Sequence, residues 1–119
     1  MKALYLYSMS MLCMIFFAAC SGGNSAGGAV TPGTCDGVNS KYAADVQPII
    51  ATSCLLGSNC HSSGSTNAGG ELTDYNKVYN KRYEISSAVN AGTMPQTGSL
   101  GTAEKKKIIC WVNSGAPNN

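Results

Sequence analysis

Apolar residues recur at helical spacing in four stretches of this chain, and nowhere do they alternate long enough to specify a strand. Tyr42, Val46, Ile49 and Ile50 fall on one face of a helix that runs towards Cys54, with Ser40 or Asp45 as its cap and Pro48 tolerated near its first turn. Leu72, Tyr75, Val78 and Tyr79 form a second pattern after Gly69-Gly70, with Thr73 as the candidate N-cap. Ile85, Ala88 and Val89 mark a third helix ended by Gly92. Thr102 caps a last one through Ile108, Ile109, Trp111 and Val112, which Gly115 and Pro117 stop. The expected class is therefore small and all-α, with long loops after His61 and around Met94.

The front of the chain follows other rules. Lys2, the apolar run through Met11–Phe17 and small Ala18-Ala19 read as a secretory signal. Phe17-Ala18-Ala19-Cys20 resembles the bacterial lipobox, in which cleavage precedes a cysteine that becomes acylated. Several acyl chains at about 0.8 kcal/mol per buried methylene would hold Cys20 firmly in a membrane. The Gly/Ser-rich stretch that follows can build no core and serves as a tether. The expected organisation is a lipoprotein signal over 1–19, a lipidated Cys20 with linker over 20–34, and one domain over 35–119. An uncleaved or ordinary signal is the plainer alternative.

Eight Lys+Arg against six Asp+Glu give a net charge of +2, and setting aside Lys2 leaves +1, which excludes nucleic acid as an expected partner. Lys105-Lys106-Lys107, the one basic run, is expected as a solvated helix face. Both phenylalanines lie in the signal, so the domain has one Trp, four Tyr and scattered aliphatics for its core. Chains this small usually need a staple or a cofactor.

Candidate chemistry gathers at Cys54-Leu-Leu-Gly-Ser-Asn-Cys60-His61, followed later by Met94-Pro95. His61 is the only histidine, and Met94 the only methionine beyond residue 14. Two thiols ending in Cys-His are what covalent haem attachment uses, the thiols adding to the vinyl groups and the imidazole reaching the iron. A thioether can close the sixth position, and His/Met ligation is the cytochrome c arrangement. The usual signature is C-x-x-C-H, whereas five residues separate Cys54 from Cys60 here. They must loop outward, for which Gly57, Ser58 and Asn59 are suitable. With haem on Cys54 and Cys60, Cys35 and Cys110 remain as a disulfide pair. Otherwise Cys110 is a buried small hydrophobe beside Trp111.

Tyr42-Ala-Ala-Asp45-Val46-Gln-Pro48-Ile49-Ile50, Cys60-His61, Gly69-Gly70-Glu71-Leu72, Met94-Pro95 and Ile108-Ile109-Cys110-Trp111-Val112-Asn113-Ser114-Gly115-Ala116-Pro117 together resemble a cytochrome c-like domain of exported and lipid-anchored bacterial proteins. The resemblance spans Lys41 to Pro117 and departs from the family in the spacing of Cys54 and Cys60. It implies one covalent haem c, with Cys54 and Cys60 as thioether sites, His61 as proximal ligand and Met94 as distal ligand. The implied function is single-electron transfer in the cell envelope, with a lipid anchor at the periplasmic side of the outer membrane and another redox protein as partner. No catalytic residues and no small-molecule substrate are expected, unless the sixth position of the iron is open. The alternative is a haem-free, disulfide-braced lipoprotein used for binding or assembly. A zinc site from Cys54, Cys60, His61 and one further ligand is awkward, because adjacent Cys60 and His61 chelate poorly.

Overall fold

The computed structural model describes residues 35–119, so the signal, Cys20 and the linker lie outside the described residues. The domain is all-α, with no strand among the described residues. A wide π-helical turn over Tyr42–Val46 leads into α1, Gln47–Ser53. Helices α2, Tyr75–Asn80, and α3, Arg82–Ala91, follow almost without a break, and α4 spans Thr102–Asn113. None of these is long and apolar enough to cross a membrane.

Pro48 explains the wide turn. A proline cannot donate, and in a regular helix its ring would strike the carbonyl four residues back. The chain is more loosely wound just ahead of it, where the Val46 N–H reaches Lys41 O at 3.2 Å. Ser40 does not cap this start, and Asp45 satisfies only its first N–H. Ser40 Oγ is buried without a partner, and Asp45 reaches back to accept from the Lys41 N–H at 2.9 Å. The exposed end of the turn is closed by Asn119 instead. Its side-chain oxygen accepts from the Tyr42 N–H at 2.9 Å and its carbonyl from the Ala43 N–H at 2.8 Å.

Two other caps move by one residue. Asp74, not Thr73, caps α2, accepting from the Lys77 N–H at 3.0 Å, while the Thr73 hydroxyl takes the Lys77 ammonium at 2.8 Å. Gly101 precedes α4, and Glu104 rather than Thr102 satisfies that end by accepting from the Gly101 N–H at 2.8 Å. Gly92 ends α3 as expected, at φ +72°.

Helix α4 is the spine of the core. It packs against both the first helix and α3, and Ile108, Trp111 and Val112 are buried in it. Tyr42 and Val46 meet it from the first helix, Val78 and Val89 from α2 and α3, and Leu72 and Leu100 from the loops. The Tyr42 ring lies 5.5 Å from Trp111 and 5.0 Å from Tyr75. The Gly115-Ala116-Pro117 segment folds back over this cluster. The Trp111 indole donates to Pro117 O and the Tyr75 hydroxyl to Ala116 O, each at 2.9 Å.

Cys35 and Cys110 are joined in a disulfide, with Cα atoms 5.4 Å apart. This closes a sequence separation of 75 residues, which in the chain-entropy model stabilises by about 4 kcal/mol. The lysine run divides. Lys107 pairs with Asp45 at 3.1 Å, whereas Lys105 is only 2% exposed, so it is not the solvated position expected of it.

Candidate functional site

Cys54 is the residue on which α1 ends, its N–H donating to Ile50 O at 2.9 Å. The five residues after it loop outward. Gly57 turns the chain at φ +140°, a conformation that L side chains rarely adopt, and its carbonyl accepts from the Cys60 N–H at 2.9 Å. The loop closes at its base, where the His61 N–H donates to Cys54 O at 3.0 Å. Leu56 rides exposed on the outside. The long spacing therefore becomes an excursion, and Cys54, Cys60 and His61 return to one another at its neck.

Both thiols are half-buried and unpaired. Burial, with a smaller contribution from the Cys60 sulfur, pushes the Cys54 thiol up to about 11.

The imidazole is oriented from behind. His61 Nδ1 lies 2.7 Å from Gly70 O. A carbonyl can only accept, so Nδ1 carries the proton of this bond, and in the neutral ring the lone pair is on Nε2. Gly69 backs the same ring at φ +96°, so closely that a Cβ there would lie 3.3 Å from His61 Cε1. The Leu72 N–H donates to His61 O at 2.9 Å, fixing the backbone below the ring.

The polar stretch after His61 is cross-braced rather than loose. Ser65 Oγ donates to Cys60 O, and the Asn67 amide donates to both Asn59 O and Cys60 O. The Gly64 N–H donates to Glu71, which pairs with Lys77 of α2 at 2.7 Å. Lys77 holds the Glu71 carboxyl below the usual carboxylate range, chiefly by this hydrogen bond. The brace thus runs from Cys60 through the loop to α2.

Met94 stands on a separate loop, between α3 and α4, and is half-buried. The N–H groups of Thr93 and Met94 both donate to Ala88 O, at 3.0 and 3.4 Å, which ties the start of this loop to the end of α3. The structure closes the backbones of Cys54 and His61 on each other, with Cys60 next to His61 in the chain, and carries Met94 on its own support.

The donor set suits a thioether-linked haem: two unpaired, half-buried thiols, an imidazole with its Nδ1 committed, and a thioether on a second loop. Among the described residues, no three His, Cys, Asp or Glu side chains gather into a group that could hold a metal ion. Sequence reasoning did not find the Gly70 carbonyl or the Gly69 backing, although the Gly69-Gly70 pair was the signal for both. No family model, curated protein or solved structure matches this chain.

Proposed function

We propose that the protein is a monohaem c-type cytochrome, lipid-anchored through Cys20, that carries single electrons in the bacterial cell envelope. The observation that supports this most directly is the division of the four domain cysteines. Cys35 and Cys110 are bonded to each other, while Cys54 and Cys60 keep free thiols beside the only histidine.

A bound haem would supply a one-electron iron couple. Cys54 and Cys60 would tether it, and His61 would offer Nε2. The hydrogen bond from Nδ1 to Gly70 O holds the ring in one tautomer and makes Nε2 the more basic nitrogen. Met94 would offer its thioether, a ligand that favours the reduced iron. The aliphatic core beneath Cys54 would keep water from that side. Such a protein needs a redox partner rather than a substrate pocket.

The test is to express the full chain in a periplasm equipped for haem attachment and record the pyridine haemochrome spectrum of the denatured protein. Two saturated vinyl groups are expected. One unsaturated vinyl would assign a single thioether, and Cys54→Ala against Cys60→Ala would identify it. Absence of covalent haem would overturn the electron-transfer reading in favour of a haem-free, disulfide-braced lipoprotein for binding or assembly.

A further inference from the structure

Lys105 is one of the most deeply buried side chains of the domain, at 2% exposure, and nothing in the haem attachment loop calls for it. Desolvating an ammonium is costly unless fixed dipoles or charges compensate for the lost water. The end of a helix is part of its surroundings. A Cβ built on Gly92 would lie 3.8 Å from Lys105 Nζ, so the ammonium rests against the residue that ends α3. That end of a helix carries the partial negative charge of its last carbonyls, where a cation is stabilised.

Lys105 stands in the first turn of α4, where its N–H makes the ordinary helix bond to Gly101 O at 3.0 Å. The loop carrying Met94 begins at Gly92 and finishes at Gly101, so the Lys105 side chain reaches from the start of α4 to the end of α3, the two elements that the loop joins.

We infer that Lys105 is a positioning residue, clamping the Gly92–Gly101 loop shut so that the Met94 thioether is presented in one place. The inference about Met94 as a ligand rests on the haem reading above; the clamp itself does not. A solvated lysine could not serve, because water would compete for the helix end. Burial is what lets a single ammonium hold the loop.

The variant Lys105→Met keeps the aliphatic stem and removes the charge and its donors. Amide hydrogen exchange in the haem-free protein should show the Thr93 and Met94 N–H groups exchanging at least about tenfold faster, equivalent to ~1.4 kcal/mol of local opening. The Cys54 N–H at the end of α1 should keep its wild-type rate. Uniform acceleration at all three would mean general destabilisation, and unchanged rates would mean no clamp; either overturns the inference. In the haem-loaded protein, Lys105→Met should retain covalent haem but lose the charge-transfer band that Met94→Ala abolishes. Retention of that band would overturn the positioning role. If the wild type has no covalent haem or no Met94-dependent band, the haem reading fails while the exchange experiment still judges the clamp. Should Lys105→Met not fold, Lys105→Gln, which removes the charge but keeps a polar head, is read at the same amides. It should show the same localised acceleration, and wild-type rates there would overturn the clamp.

Discussion

Gly69→Ala tests whether the imidazole is held by the loop behind it. Two separate costs arise at this position. An L-residue at φ +96° is strained by about 1–3 kcal/mol. The added methyl would also stand 3.3 Å from His61 Cε1 and 3.8 Å from Nδ1, tighter than ordinary carbon contact at the first atom. The ring or the loop must give way by a few tenths of an ångström, and the 2.7 Å bond from Nδ1 to Gly70 O lies in the same place. Losing that bond adds about 0.5–1.5 kcal/mol. Gly115 separates the two costs. Its φ of +95° matches that of Gly69, but a Cβ there meets nothing within 4 Å. Gly115→Ala should therefore show the backbone strain alone, and Gly69→Ala should be less stable than it by about 1 kcal/mol in urea unfolding. Nitrogen NMR of His61 should show Nδ1 losing its fixed proton only in Gly69→Ala. Equal stability of the two variants, with unchanged ring nitrogens, would refute the argument.

Two further outcomes are expected. Replacing Cys35 and Cys110 together by Ala should lower stability by about 4 kcal/mol, measured by urea unfolding; a loss below about 1 kcal/mol would mean that the cross-link does not act through the unfolded chain. In the haem-free protein, the Cys54 thiol is raised by folding, so its contribution is fully present below the ordinary thiol value of 9.0 and is lost as pH rises through about 11. Urea midpoints should fall across that window more steeply in wild type than in Cys54→Ala, and equal slopes would contradict the burial of this thiol.

Much of the fold was legible because helix faces repeat in sequence. The apolar positions that predict the first helix, α3 and α4 include those found buried, and Gly92 was readable as a stop because few other residues take its backbone angle cheaply. The caps were less legible. Thr73 and Asp74 are both good N-caps, and the choice falls to the register of Lys77, which engages both. The cap on the first helix could not be found locally at all, since Asn119 lies 77 residues from Tyr42. Lys105 misled for a related reason. Three consecutive lysines point in three directions around a helix, and composition does not say which one faces the neighbouring α3. The Cys54–Cys60 loop was readable as an outward excursion from Gly57, but the carbonyl behind His61 belongs to a backbone, and backbones leave no mark in composition.

The disulfide also decides how the domain answers to force. Cys35 is the first described residue, and its bond leads straight to Cys110, a buried residue within α4. A pull arriving along the chain ahead of Cys35 enters the fold at its central spine, bypassing the chain between the two sulfurs, a sequence separation of 75. The loops bearing His61 and Met94 sit inside that bypass and carry none of the tension transmitted through the covalent bridge. A pull from that direction can thus reach the fold without drawing His61 and Met94 apart.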